Sequence, residues 1–154
     1  MRRAILYFVA VVHLVIADAV SKELAAGFLK DSAPLSVIPG FFDLAYVENR
    51  GCAWGMFQGQ VWPLAAFAVL ALALLVWKRD AVFGRGRCAA VSETLLYAGI
   101  VGNLVDRVFR GYVIDFLDFH WKAAYHFPCF NLADTFITVA AGLMILCSFG
   151  KRTS

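Results

Sequence analysis

Between Ala98 and Phe136 the sequence AGIVGNLVDRVFRGYVIDFLDFHWKAAYHFPCFNLADTF sets four aspartates, Asp106, Asp115, Asp118 and Asp134, and two asparagines, Asn103 and Asn131, among segments apolar enough to lie in lipid. An ionisable side chain at membrane depth costs ~2.5–3.5 kcal/mol on insertion scales, so it normally faces a bundle interior or an aqueous cavity and marks function. Two aspartates brought together in a low-dielectric pocket cannot both ionise cheaply, so one holds a proton while the other is charged. An acid–base pair needs that state. The charged carboxylate takes a proton from water as it attacks a carbonyl, and the protonated partner supplies one to the carbonyl oxygen or the leaving amine. Amide hydrolysis at a membrane surface is the reaction class this chemistry fits, although Asp–Asp pairs also serve cation transport.

The acids differ in what else they can do. Asn103, Asp106 and Arg107 stand at i, i+3 and i+4 and share one helical face, where Arg107 neutralises Asp106 and Asn103 bonds a neighbouring helix. These three read as a supporting shell, and Gly111 lets the chain turn after them. Asp115, in VIDF, has apolar neighbours on both sides and is a candidate either for chemistry or for capping a following short helix. Asn131 is a good N-cap for the last apolar segment, and Asp134, three residues on, gains from a helix dipole. Capping alone leaves unexplained why Pro128 to Asp134 should enter lipid opposite another semi-buried acid. Asp18 and Lys22 form an i, i+4 pair that can stabilise the end of the first apolar segment.

Other chemistries fit worse. Ser21, Ser32, Ser36, Ser92 and Ser148 lack a His or Lys at catalytic spacing apart from Lys22 beside Ser21, which sits in no recognisable Ser-Lys pattern. His13, His120 and His126 form no zinc motif; His13 reads as a packed helix residue and the other two as interfacial. Cys52, Cys88, Cys129 and Cys147 have no metal-site spacing and read as scattered thiols in apolar contexts. No metal and no cofactor are expected.

These residues must be held by apolar elements. The 154 residues are 62% hydrophobic and 16% charged, with a mean hydropathy of +0.73, too apolar for an ordinary soluble domain. The net charge of +3 comes from basic residues that punctuate the apolar runs and form no patch, which argues against nucleic acid. One membrane-embedded domain, 1–154, is expected, with spans at about 4–22, 61–77, 89–109 and 132–149. Met1-Arg2-Arg3, the apolar run and Ala17-Asp18-Ala19 also resemble a secretory cleavage site, but three further apolar segments favour a retained first span. Each can approach a ~30 Å hydrocarbon core, the second needing help from its flanks.

Orientation follows from Lys and Arg near the span ends. Arg2 and Arg3, then Lys78, Arg79, Arg85 and Arg87, then Lys151 and Arg152 fall on one side, so both termini are predicted inside. Nine of the eleven acids fall on the other: Asp18, Glu23, Asp31, Asp43, Glu48, Asp106, Asp115, Asp118 and Asp134. Every polar motif thus converges at the outer face. The first outer loop, 27–60, carries alternating pieces around Leu35–Ile38 and Phe41–Val47 bounded by Pro34, Pro39 and Gly40, which predicts a small sheet on the membrane surface. The second, 111–130, mixes aromatics with charges and is predicted as an interfacial loop or helix.

At this point the motifs resemble a family. Asp18-Ala19-Val20-Ser21-Lys22, Glu48-Asn49-Arg50-Gly51-Cys52-Ala53-Trp54-Gly55, Gly99 to Arg107, Val113-Ile114-Asp115-Phe116 and Phe130-Asn131-Leu132-Ala133-Asp134 are similar to the ordered blocks of bacterial lipoprotein signal peptidase, signal peptidase II. The resemblance implies an all-α integral membrane protein of four transmembrane helices with a small periplasmic β-subdomain. It implies an aspartic endopeptidase of the inner membrane, active near the periplasmic face, that cuts diacylglyceryl-modified prolipoproteins before the lipidated cysteine and is inhibited by globomycin. The catalytic dyad is then Asp115 and Asp134. Asp18, Lys22, Asn49, Gly51, Asn103, Asp106, Arg107, Asn131 and Ala133 match positions that support the site or bind substrate. The expected partners are the prolipoprotein and membrane lipid, the chain acting as a monomer. Ala19, Cys52, Trp54 and Ala98 depart from the usual Gln, Ala, Phe and Gly. A proton- or cation-coupled transporter using the same acids is the alternative, and a noncatalytic assembly factor a third reading.

Overall fold

A computed structural model describes residues 2–84, 86–121 and 125–150, with backbone alone for 2–4, 53 and 149–150. Arg85, Lys151 and Arg152, used above to orient the chain, lie outside the described residues. The order is α1 (Arg2–Leu29), β1 (Leu35–Ile38), β2 (Phe42–Asn49), a single 3-10 turn (Ala53–Gly55), α2 (Val61–Trp77), a short α3 (Arg79–Val82), α4 (Arg87–Arg110), β3 (Val113–Trp121), β4 (Tyr125–His126) and α5 (Leu132–Gly150). Helix α4 lies centrally and packs on α1, α2 and α5.

The polarity of this bundle is inverted relative to a water-soluble one. Phe8 is 71% exposed and Phe67 68%, whereas Lys22 is 0% and Asp18 1% exposed. Hydrocarbon as the surrounding solvent makes this the favourable arrangement, since apolar side chains lose nothing by facing it and charges must pair inside. Ile5–Leu29 and Arg87–Arg110 are long and apolar enough to cross a membrane, and Val61–Trp77 and Leu132–Ser148 are shorter apolar helices. The 17 residues of α2 reach about 26 Å, short of a ~30 Å core.

Three expectations need correction. Helix α1 continues to Leu29 instead of ending near residue 22, because Lys22 is buried against acids and so does not need water at a helix end. The described residues of 111–130 are not a loop or helix throughout; Val113–Trp121 is a strand. The β-branched and aromatic run VIDFLDFHW suits a strand, and β2 presents an edge that pairs with it antiparallel, Phe42 opposite Phe119 and Asn49 opposite Val113. Asp115 therefore caps no helix. The cysteines are not all scattered: Cys88 and Cys147 are paired across 59 residues, while Cys52 and Cys129 take part in no disulfide. His13 also faces outward, its Nδ1 2.7 Å from the Val9 carbonyl.

The two extended pieces in the first loop are strands as expected. The sheet has the order β1-β2-β3-β4, antiparallel throughout. A bulge between Leu44 and Val47 shifts the β2–β3 register, bending β2 where Asn49 must reach Asp115. Ala25 and Leu29 of α1 meet Ile114 and Phe116 of β3 in a small core, with Leu44 and Leu132 against it. The segment before α5 also pairs with β3: the Phe116 and Leu117 amides donate to the Phe130 carbonyl at 3.0 and 2.8 Å, and the Phe130 amide donates back to Leu117 at 3.1 Å. The neighbouring Asn131 is thereby delivered beside Asp115.

Candidate active site

Asp115 projects from β3 with 2% exposure. Its Oδ2 accepts from Asn49 Nδ2 at 2.9 Å and its Oδ1 from Asn131 Nδ2 at 2.7 Å. Burial raises its pKa first, and the charge of nearby Asp134 adds to this, while the two amide donors oppose it; the result is about 7. Asp134, half-buried in the first turn of α5, accepts from Asn103 Nδ2 at 2.7 Å through Oδ1. It also closes a reciprocal cap: its amide donates to Asn131 Oδ1 at 2.9 Å, and its Oδ2 faces the Asn131 amide at 3.3 Å. The N-cap read for Asn131 is thus real, and Asn131 serves both acids at once.

Both carboxyl groups line one cavity of about 470 Å³, with Asn49, Asn103, Arg107, Trp54 and Phe127. Trp54 and Phe127 meet edge to face, their rings 5.6 Å apart. Arg107 donates to the Gly51 carbonyl at 3.0 Å, fastening the loop after β2 to α4. Cys129 is part of the wall; burial, and secondarily the Asp115 charge, push its thiol up to about 12, so it remains protonated.

Beneath the cavity lies a charge network that the helix-end reading of Asp18 and Lys22 missed. The Lys22 ammonium has three protons and three acceptors: Asp18 Oδ2 at 2.8 Å, Asp106 Oδ2 at 3.0 Å and Asn103 Oδ1 at 3.0 Å. Asp18 Oδ1 accepts from the Ala133 amide at 2.8 Å, tying α1 to the start of α5. Asp106 Oδ2 accepts from the Ile114 amide at 3.2 Å, next to Asp115, and its Oδ1 accepts from Arg110 Nε at 3.0 Å. Arg110 in turn pairs with Glu23. Arg107 was expected to neutralise Asp106; Arg110 and Lys22 do so instead. Because the ammonium holds Asn103 Oδ1, the amide of Asn103 has only its Nδ2 to offer Asp134.

Close approach explains residues that motif reading left without a role. A Cβ at Gly102 would meet Asp18 Oδ2 at 2.6 Å, and one at Gly99 would meet the Ala133 carbonyl at 2.4 Å. Two glycines three residues apart in an apolar helix are the available sequence signal for such contact. Gly102→Ala is expected to push Asp18 off Lys22 and cost about 1–3 kcal/mol, read as a lower thermal unfolding midpoint in detergent; an unchanged midpoint would contradict the packing described. Gly51 is constrained similarly, its added Cβ meeting the Met56 carbonyl at 2.4 Å. Asp118 belongs to a separate group on the sheet, 3.6 Å from His126 Nδ1.

Residues 10–150 match the family model described as signal peptidase (SPase) II. The chain belongs to the signal peptidase II family. It is therefore a protease. The lipoprotein signal peptidase of Clostridium acetobutylicum is 38% identical over 135 residues, covering 88% of this chain and 86% of that protein. That of Symbiobacterium thermophilum is 39% identical, covering 92% of each, and that of Shewanella loihica is 41% identical over 150 residues, covering 93% and 85%. A solved bacterial membrane enzyme structure, obtained by the in meso method, superposes with a TM-score of 0.80 at 31% identity and covers 96% of this chain and 89% of that one.

Proposed function

We propose that this signal peptidase II chain is an intramembrane aspartic endopeptidase that removes the signal peptide from diacylglyceryl-modified prolipoproteins, cutting before the lipidated cysteine. The observation that carries the mechanism is that Asp115 and Asp134 line one cavity in unequal surroundings, with Asp115 held near neutrality. The proton of the pair resides on Asp115. Asp134, oriented by Asn103, takes a proton from water as the oxygen attacks the scissile carbonyl. Asp115 gives its proton to the carbonyl oxygen, forming a tetrahedral diol. Asp115 then regains a proton from one diol hydroxyl as the C–N bond breaks, and Asp134 returns its proton to the leaving nitrogen. Asn49 and Asn131 fix the Asp115 carboxyl plane, and the Lys22 network holds Asn103, to whose Oδ1 Asn131 also donates at 3.1 Å.

The four apolar helices act as membrane spans with both termini inside and the sheet at the outer, periplasmic face. A substrate anchored by its own acyl chains and apolar helix reaches the cavity by diffusing in the bilayer. The relatives named lipoprotein signal peptidase support this substrate class. Purified protein incubated with a diacylglyceryl-modified precursor is expected to release the signal peptide at the bond before the lipidated cysteine, and globomycin to block release; intact precursor in the presence of folded protein would overturn the proposal.

The pH dependence has a definite sign. The donor is the protonated form of Asp115, whose pKa in the substrate-free protein lies at about 7, so kcat/KM is expected to fall as pH rises through that value. A kcat/KM that stays level from about pH 6 to 9 would remove Asp115 from the donor role.

A further inference from the structure

We infer that the opposite end of the helix bundle carries a binding site for an anionic glycerophospholipid of the inner leaflet. A second cavity, of about 400 Å³, lies between α1, α2 and α4, lined by Tyr7, Val11, Leu72, Val76, Tyr97 and Glu93 among others. It shares none of its lining with the cavity that holds Asp115 and Asp134. Its walls are aliphatic and aromatic, and the one acid among them is neutralised: Glu93, 7% exposed, accepts from Arg79 Nε and Nη2 at 2.6 and 2.7 Å. This fork clamps α3 to α4, and Phe83 beyond α3 lies edge to face on Tyr97. A groove with no net charge and apolar walls at membrane depth accepts an acyl chain.

The rim supplies the headgroup chemistry. Lys78 follows α2 directly, two residues after the lining residue Val76, with its Nζ 4.0 Å from the centre of the Trp77 ring. Trp77 is 73% exposed, the placement of a belt residue at a membrane interface. Arg87 opens α4 on the same side and is exposed. Among the described residues neither Lys78 nor Arg87 has a carboxylate partner, whereas Arg79 is occupied by Glu93 and by Asp80 at 3.2 Å. Two cations without carboxylate partners at the same end of the bundle as the apolar slot suit a lipid phosphate, with one chain of that lipid in the slot. The leaflet assignment rests on the orientation proposed above; the binding chemistry does not.

Purified protein is titrated with phosphatidylglycerol or phosphatidylcholine of identical acyl chains, and bound lipid is counted by native mass spectrometry. The wild type is expected to retain phosphatidylglycerol preferentially. Lys78→Gln and Arg87→Gln are each expected to lower that retention about fivefold, and Val11→Trp, which fills the slot, to lower retention of both lipids. Equal retention of the two lipids by the wild type would overturn the inference, as would undiminished retention in Val11→Trp, the outcome if the slot is occupied by a partner helix. Cleavage of the lipidated precursor, measured on the same samples, should persist in the Lys78 and Arg87 variants. Its absence from the wild type would count against the peptidase reading and leave the lipid result standing.

Discussion

Asp115→Asn and Asp134→Asn are each expected to leave a folded protein whose kcat on a lipidated precursor falls by about 10²–10⁴-fold. An amide keeps the size of the carboxyl group and one acceptor oxygen of the two, so at position 115 one of Asn49 and Asn131 keeps its partner, and at position 134 Asn103 does. What disappears is the ability to hold and pass a proton. Stability separates this loss from misfolding. The Asp115 pKa is raised from 3.8 to about 7 by burial and by Asp134, so between these values the folded state binds more protons than the unfolded one. Stability therefore falls as pH rises across that window, and the cost persists above it. Asparagine does not ionise, so Asp115→Asn is expected to unfold at or above the wild-type temperature at pH 8 while being inactive. An active Asp115→Asn protein would remove the acid from the mechanism; a grossly destabilised one would contradict the electrostatic account of the site.

The second large effect is structural. Lys22→Met removes a fully buried ammonium and the bonds it gives to Asp18, Asp106 and Asn103 Oδ1, and of the two acids only Asp106 keeps a cation, Arg110. Removing one partner of a buried ion cluster costs about 3–5 kcal/mol, because the remaining charges stay in a low dielectric. Activity should fall as well, since Asn103 Oδ1 then keeps only Asn131 Nδ2, at 3.1 Å, and the amide is held less firmly toward Asp134. Adding Asp18→Asn to Lys22→Met should recover part of the lost stability by removing the charge whose cation was Lys22, a coupling that double-variant comparison measures. A Lys22→Met loss below about 1 kcal/mol, in the range of ordinary surface changes, would contradict the hub assigned to Lys22.

The helices were legible because lipid-facing segments must be continuously apolar, and the first loop announced its strands through Pro34, Gly40 and alternation. Asp115 and Asp134 stood out for the same reason: ions in apolar surroundings need a cause. Strand β3 was not legible, because VIDFLDFHW pairs with a strand more than sixty residues away and its mixed aromatics and charges also suit an interface. Lys22 was underestimated because an i, i+4 partner is the nearest explanation for a charge, and nothing local reveals that α4 supplies two more acceptors. The exchange of Arg107 for Arg110 beside Asp106 has the same origin, since both stand within one helical turn of that acid and only the path of β2 decides which one turns away to Gly51. Gly102 could have been noticed through its spacing from Gly99, but the atom it makes room for belongs to α1.

The proposed mechanism has the two acids activate water directly. A single turnover of the lipidated precursor in 18O-labelled water, quenched during the reaction and analysed by intact mass, tests it. The expected result is one labelled oxygen in the new terminal carboxylate of the signal peptide and no increase in the mass of the enzyme at any time. An enzyme carrying the covalently attached signal peptide, or cleavage at an undiminished rate in Asp134→Asn, would contradict it.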